Sequence, residues 1–129
     1  MTIEAPRLLR AACYFPVHDV ALAVEYYERV FGFRIEYAAL PHFAIIARDG
    51  HALMLREVAR NSRIVPNEKQ GGTWDAFFWV NDAAALHEEL VAKGATIVYG
   101  PIVQDLDRMN EFAARDRSGY VLGFGQALT

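Results

Sequence analysis

The sequence of 129 residues predicts an α+β fold made of two tandem β-α-β-β-β modules. The prediction rests on two repeats: an amphipathic helix opening recurs 63 positions later, from Val17 to Val80, and a similar hairpin recurs downstream. A polar segment separates the copies. We expect a single domain over residues 1–129, with modules at 8–58 and 73–127 and a connector at 59–72. In this fold the modules form a curved mixed sheet around a cleft, with the helices on its outer face.

Both predicted helices open with Val-x-Asp and end at glycine. Residues 17–32 read VHDVALAVEYYERVFG, in which Asp19 is a candidate N-cap and Gly32 suits the left-handed position after a helix. Apolar side chains recur there at spacings of three and four residues. Asp82 and Gly94 take the same places in the second copy.

Short apolar runs predict the strands. One run precedes each helix, at 11–17 and 74–80, and another follows it, at 34–38 and 96–99. Each module then ends in a hairpin whose turn contains Ala-Arg-Asp and a glycine. The hairpins read FAIIARDGHALML from Phe43 and FAARDRSGYVLGF from Phe112, and we expect the second turn to be two residues longer.

Composition excludes several classes of protein. Hydrophobic residues make up 53% and charged residues 22%, which excludes intrinsic disorder, and no apolar run is long enough to span a membrane. The net charge of −3 argues against nucleic acid as a partner. The single cysteine, Cys13, cannot form an internal disulfide and is interpreted as a small buried apolar residue. The N-terminus lacks a secretory apolar stretch, so we expect a soluble, cytoplasmic protein.

This order of elements resembles the vicinal oxygen chelate superfamily, which includes glyoxalase I, extradiol dioxygenases and the bleomycin-resistance proteins. The resemblance rests on the paired helix openings, on Tyr26-Tyr27 ahead of Phe31-Gly32-Phe33, and on the closing hairpin at 115–126. In that hairpin, Arg117 and Ser118 replace the proline and aspartate that are usual in the family.

The resemblance also implies where a metal would bind. In the metalloenzymes of the superfamily, four inward-facing side chains hold a divalent ion, one near the start and one on the last strand of each module. Those positions fall on Ala12, Met54, Asp75 and Gly123. Alanine and glycine offer no donor atom, a thioether suits soft metals, and one carboxylate is too few ligands for a catalytic metal. We therefore expect no metal and no other cofactor.

Strand alternation predicts an aromatic inward surface. It places Trp74 on the helix side of its strand. Asp75 and Phe77, the neighbours of Ala76, then point inward. The predicted hairpin pairs are Phe43 with Arg56, Ile45 with Met54, Phe112 with Gly123 and Asn110 with Gly125, and the two glycines would leave room for a ligand. The candidate ligand-binding residues are Tyr14, Phe43, Met54, Arg56, Asp75, Phe77, Trp79, Asn110 and Phe112.

Several of these residues also have structural interpretations. Phe43 and Phe77 could belong to the core, because aromatic side chains at strand spacing often do. Asp75 could make structural hydrogen bonds instead of ligand contacts. Arg56 could pair with Asp75 or with a partner subunit.

Three functions remain open. The preferred one resembles the bleomycin-resistance branch: a homodimer without a metal that binds or sequesters a small aromatic or cationic molecule, as in antibiotic resistance. The second is a lyase, isomerase or dioxygenase-like enzyme with a relocated metal or with metal-free acid–base chemistry, for example at Asp75 with Tyr14 or Arg56. The third is a dimeric interaction module whose cleft is filled by its own side chains.

Overall fold

The computed structural model describes residues 4–106 and 108–128, and these form two similar modules. The first module contains strand β1 (Ala12–Val17), helix α1 (Val20–Arg29), and strands β2 (Arg34–Ala39), β3 (Phe43–Arg48) and β4 (His51–Glu57). The second contains strand β5 (Ala76–Trp79), helix α2 (Ala83–Ala92), and strands β6 (Thr96–Gln104), β7 (Met109–Arg115) and β8 (Val121–Ala127). The predicted α+β fold with two tandem β-α-β-β-β modules is confirmed.

Each module has its own four-stranded mixed sheet. Sheet 1 has the order β1-β4-β3-β2 and sheet 2 has the order β5-β8-β7-β6. In each sheet the first strand runs parallel to the last strand, and the other neighbours are antiparallel. The helix between the first two strands supplies the crossover that a parallel pair needs.

The helix boundaries follow the sequence signals. The side chain of Asp19 accepts a hydrogen bond from the Leu22 N–H at 2.9 Å, and Asp82 accepts one from the Ala85 N–H at 3.0 Å, so both are the predicted N-caps. Gly32 follows α1 with a φ of +71°, in the left-handed region that glycine adopts without strain. None of the helices in the described ranges is long and apolar enough to cross a membrane.

The two modules share one core. It contains α1, α2 and the helix-side residues of both sheets. The rings of Phe15 and Tyr120 stack at a centroid distance of 4.3 Å, and the Tyr120 hydroxyl donates to the Pro16 carbonyl at 2.6 Å. The Tyr27 hydroxyl donates to Asp116 Oδ2 at 2.6 Å. The modules therefore contact each other through their helix sides, and each sheet keeps a second face, here called its helix-free face.

The connector packs against the second module. Pro66 is buried, and a short 3-10 turn covers Asn67–Gln70. Glu68 accepts two hydrogen bonds from the Arg115 guanidinium, at 3.0 Å and 2.9 Å. This bidentate ion pair fixes the connector beside the start of the β7–β8 turn.

The second hairpin differs from the prediction by one residue. The first turn is the two-residue loop Asp49-Gly50, but the second is the five-residue loop Asp116–Tyr120, because Arg115 pairs with Val121. Asp116 Oδ1 closes this longer loop by accepting from the N–H groups of Ser118 and Tyr120, both at 2.9 Å. The second loop is therefore three residues longer than the first, whereas the predicted difference was two. This shift of one residue in the pairing moves each side chain of β7 to the face opposite the predicted one.

Candidate functional site

The helix-free face of sheet 1 matches its prediction. Phe43 pairs with Arg56 and Ile45 pairs with Met54, as predicted, and Tyr14 lies beside Met54 on the same face. Tyr14 is 50% exposed, and Arg56 is also exposed. This face therefore offers aromatic and aliphatic surface with a guanidinium at one end.

The helix-free face of sheet 2 carries Phe77 and Trp79, again as predicted. Their rings meet edge to face at a centroid distance of 5.3 Å. Trp79 is 76% exposed, which is high for an indole in a folded chain. Such a ring can stack on a planar molecule or attract a cation to its π face.

The room predicted above the two glycines is filled by the chain itself. A Cβ on Gly123 would lie 2.6 Å from Trp74 Cδ1 and 2.7 Å from a Phe77 ring carbon, and one on Gly125 would lie 2.6 Å from Phe77 and from Met109. The prediction that Trp74 lies on the helix side is therefore wrong. Trp74 comes before the first residue of β5, so strand alternation does not govern its direction, and its ring lies over Gly123.

Asn110 and Phe112 are also placed on the wrong face by the prediction. Phe112 pairs with Phe124 rather than with Gly123, is fully buried, and contacts Phe124 with a ring-centroid distance of 5.0 Å. Asn110 pairs with Gln126 rather than with Gly125 and shares the face of Phe112. Both residues point to the helix side because of the extra residue in the β7–β8 turn.

Asp75 has the structural role that was one of its two interpretations. Its Oδ1 accepts from the Asn67 N–H at 3.0 Å, and its Oδ2 accepts from the Val121 N–H at 2.8 Å. Both oxygens therefore hold backbone groups, one in the connector and one at the start of β8. This carboxylate joins the two segments and does not pair with Arg56 within hydrogen-bond distance.

The four positions of the family's metal site do not fit a metal ion. Ala12 and Gly123 have no donor atom, Met54 offers a thioether, and both oxygens of Asp75 are already used. Among the described residues, no group of three or more His, Cys, Asp or Glu side chains is arranged to hold a metal.

Sequence reasoning missed one chemically unusual residue, Glu111. It pairs with Gly125, lies on the helix-free face of sheet 2, and is only 3% exposed. Its Oε1 accepts from the Tyr99 hydroxyl at 3.2 Å, and the oxygen of that hydroxyl accepts from Trp74 Nε1 at 2.9 Å. If the pairing of β7 with β8 is counted from a turn of five residues, Glu111 falls opposite Gly125 and therefore on the helix-free face.

A cavity of about 810 Å³ lies between the start of β1 and helix α2. Phe77 and Trp79 are the two candidate residues in its walls, whereas the other seven candidates lie elsewhere. The apolar walls also include Phe31, Phe33, Phe78, Leu86, Leu90 and Phe124. Cys13 lines the cavity too, and burial raises the pKa of its thiol, which keeps it protonated and poorly nucleophilic.

Comparison with solved structures supports the fold. TioX from Micromonospora sp. ML1 is 24% identical over 93% of this chain and 99% of its own, with a TM-score of 0.71. Lactoylglutathione lyase from Agrobacterium tumefaciens is 15% identical over 95% of this chain and 96% of its own, with a TM-score of 0.69. At these identities the likeness concerns the fold alone.

A comparison with curated proteins finds no match. A family model described as the Glyoxalase/Bleomycin resistance protein/Dioxygenase superfamily matches residues 8–124. This match covers most of the sequence and confirms the resemblance found in the repeats. The chain therefore belongs to the glyoxalase/bleomycin resistance protein/dioxygenase superfamily.

Proposed function

We propose that this chain is a small-molecule-binding protein that holds an aromatic or cationic molecule without a metal. The observation that carries the proposal is Trp79, an indole that is 76% exposed and lies beside Phe77 in the wall of a cavity of about 810 Å³. Ligand pockets commonly measure about 300–1,000 Å³ and are mostly apolar with a few polar groups. This cavity meets both criteria.

The polar groups at the cavity support a ligand that is uncharged or positive. Arg48 is already neutralised, because its guanidinium donates to Glu89 at 2.8 Å and 3.1 Å. The carboxylates of Asp49 and Asp82 also line the cavity. With its one arginine paired, the cavity has an excess of negative charge, which disfavours anionic ligands.

We extend the proposal to a homodimer. The strands β1 and β5 are at the edges of their sheets, and exposed aromatic side chains lie on both helix-free faces. A second copy that covers the helix-free face of sheet 1 would bury Tyr14 and Tyr37, which are 50% and 55% exposed, and would leave Trp79 on sheet 2 open. Light scattering at micromolar concentration should give twice the mass of one chain, and the mass of one chain would contradict the dimer.

We also propose a cytoplasmic location. The support is the single cysteine, Cys13, since a chain that forms no internal disulfide suits a reducing compartment.

The binding proposal is tested with a panel of planar aromatic amines and their neutral counterparts. Binding is measured by thermal shift and by quenching of tryptophan fluorescence, for the unmodified chain, Trp79→Ala and the control Val91→Ala. Val91 is a 47% exposed apolar residue on α2. The Trp79 variant should bind about tenfold more weakly, the magnitude expected from losing one aromatic contact, whereas the control should bind normally.

Three results would contradict the proposal. If no compound on the panel binds, the third function is favoured, a dimeric interaction module whose cleft is filled by its own side chains. The packing of Trp74 over Gly123 is consistent with such a filled cleft. If Trp79→Ala binds as well as the control, the site lies elsewhere. If turnover of a substrate depends on an added metal, the enzyme alternative is correct.

A further inference from the structure

Glu111 is a buried carboxylate with one oxygen unused. The residue is 3% exposed, and among the described residues no hydrogen-bond donor reaches its Oε2. The other oxygen, Oε1, accepts a hydrogen bond from the Tyr99 hydroxyl at 3.2 Å. A buried polar oxygen without a hydrogen-bond donor is unfavourable, because it gives up its contacts with water and gains none in return. A residue of this kind therefore calls for a partner that residues 4–106 and 108–128 do not supply.

Two side chains cover Gly125, the residue that pairs with Glu111. Glu111 pairs with Gly125, and the space above that glycine is taken by the Phe77 ring and the end of the Met109 side chain. Methionine is unbranched and flexible, so it adapts when a ligand enters. Phe77 also lines the cavity beside Trp79, so the same ring lines the cavity and covers Gly125, the pairing partner of Glu111.

The hydrogen-bond chain around Glu111 leaves the free oxygen as an acceptor. Trp74 Nε1–H donates to the Tyr99 oxygen at 2.9 Å, which directs the Tyr99 hydroxyl hydrogen toward Glu111 Oε1. The Trp74 N–H and the Tyr99 hydroxyl hydrogen are therefore both engaged within this series of hydrogen bonds. Oε2 can therefore accept an N–H from outside, whereas a ligand carboxylate or phosphate would bring further acceptor oxygens to a position that needs a donor.

We infer that the ligand carries a protonated amine or amidinium, and that Oε2 of Glu111 binds this group while the aromatic part of the ligand lies against Phe77 and Trp79. The inference rests on the proposed binding function and names its ligand class: a planar aromatic cation. Phe77 and Met109 move aside to admit the cationic group. Glu111 is then the residue that selects the cation over its neutral counterpart.

The test compares matched probes on matched variants. The probe pairs are 9-aminoacridine with acridine and benzamidine with benzamide, because each pair differs mainly in charge near neutral pH. The variants are Glu111→Gln, which keeps an oxygen for the Tyr99 hydroxyl, and Glu28→Gln, which removes one exposed carboxylate from α1. Dissociation constants are measured by quenching of tryptophan fluorescence, and folding is checked by circular dichroism and thermal unfolding.

We expect the unmodified chain and Glu28→Gln to prefer the cationic member of a pair, and Glu111→Gln to lose that preference by about tenfold, as for one charge-assisted hydrogen bond. If cation and neutral probe bind equally in all three proteins, the inference is wrong while the binding function stands. If neither probe of any pair binds, the binding function fails and the inference fails with it.

The partner of Glu111 Oε2 could instead come from a second copy of the chain, whose exposed Arg56 would supply the cationic group. In that case Glu111→Gln and Arg56→Gln should both lower the mass seen by light scattering, and the probe preference should not change. That pattern would also overturn the inference.

Discussion

Asp116 makes the stability of this protein depend on pH. Its carboxylate is 6% exposed and lies where the two modules meet, with the Tyr27 hydroxyl 2.6 Å from Oδ2. Burial raises the pKa of Asp116 from 3.8 to about 6, although the hydrogen bonds from Tyr27, Tyr120 and Ser118 act in the opposite direction. Desolvation outweighs the hydrogen bonds because the described part of the chain places no cationic partner beside this carboxylate.

The direction of the pH effect follows from this raised pKa. The folded chain binds the Asp116 proton more tightly than the unfolded chain does, so the contribution of this group favours folding fully below pH 3.8. That contribution is lost as the pH rises through about 6. A difference of about two pKa units corresponds to about 3 kcal/mol in the free energy of unfolding.

The perturbation that isolates this contribution is Asp116→Asn. The amide oxygen can still accept from the N–H groups of Ser118 and Tyr120, and the amide nitrogen can donate to the Tyr27 oxygen. The assay is urea unfolding between pH 4 and pH 7.5, followed by far-ultraviolet circular dichroism. The unmodified chain should lose about 2.4 kcal/mol relative to the variant over this range, because most of the contribution of Asp116 is present at pH 4 and it is lost by pH 7.5. Other groups titrate alike in both proteins.

The matched control is Asp49→Asn, in the corresponding turn of the first module. The Asp49 side chain is 84% exposed and lies 3.6 Å from Arg48 Nε, so Asp49→Asn measures the loss of an exposed carboxylate and its surface ion pair without any change in burial. The reasoning is refuted if the difference between the unmodified chain and Asp116→Asn stays constant with pH. It is also refuted if the unmodified chain gains stability on that scale as the pH rises, because the hydrogen bonds would then outweigh the burial.

Two further predictions concern the glycine contact and the connector. Gly123→Ala should lower the free energy of unfolding by about 1–3 kcal/mol, because its Cβ would lie 2.6 Å from Trp74 Cδ1; unchanged stability in urea unfolding would show that the indole moves freely. Glu68→Gln removes the bidentate pair with Arg115, in which the two side chains are 25% and 36% exposed, and should cost about 1 kcal/mol. Trypsin should then cut the connector after Lys69 faster, and an unchanged cleavage rate would contradict that role for the pair.

Much of the fold could be predicted because its signals are local. The capping residues Asp19 and Asp82, and the two-residue loop Asp49-Gly50, fix the direction of the chain with little help from distant contacts. The register of the first hairpin followed from that loop. The faces of Tyr14 and Trp79 followed from strand alternation.

The site on sheet 2 could not be predicted as well, because it depends on one extra residue and on long-range contacts. Asp116 closes a five-residue loop through its own side chain, so the pairing of Phe112 and the inward position of Glu111 followed a register that the sequence pattern did not reveal. The position of Trp74 over Gly123 is set by packing rather than by alternation.

The central claim is metal-independent binding of a planar aromatic molecule at Trp79. The most direct measurement is a fluorescence titration of the tightest panel compound against chelator-treated protein, with and without added Zn, Mn, Ni or Fe, alongside the metal content of the purified chain. We expect one dissociation constant with and without added metal, weaker binding by Trp79→Ala, and a metal content well below one ion per chain. Binding that appears only after a metal is added, or one tightly held ion per chain, would contradict it.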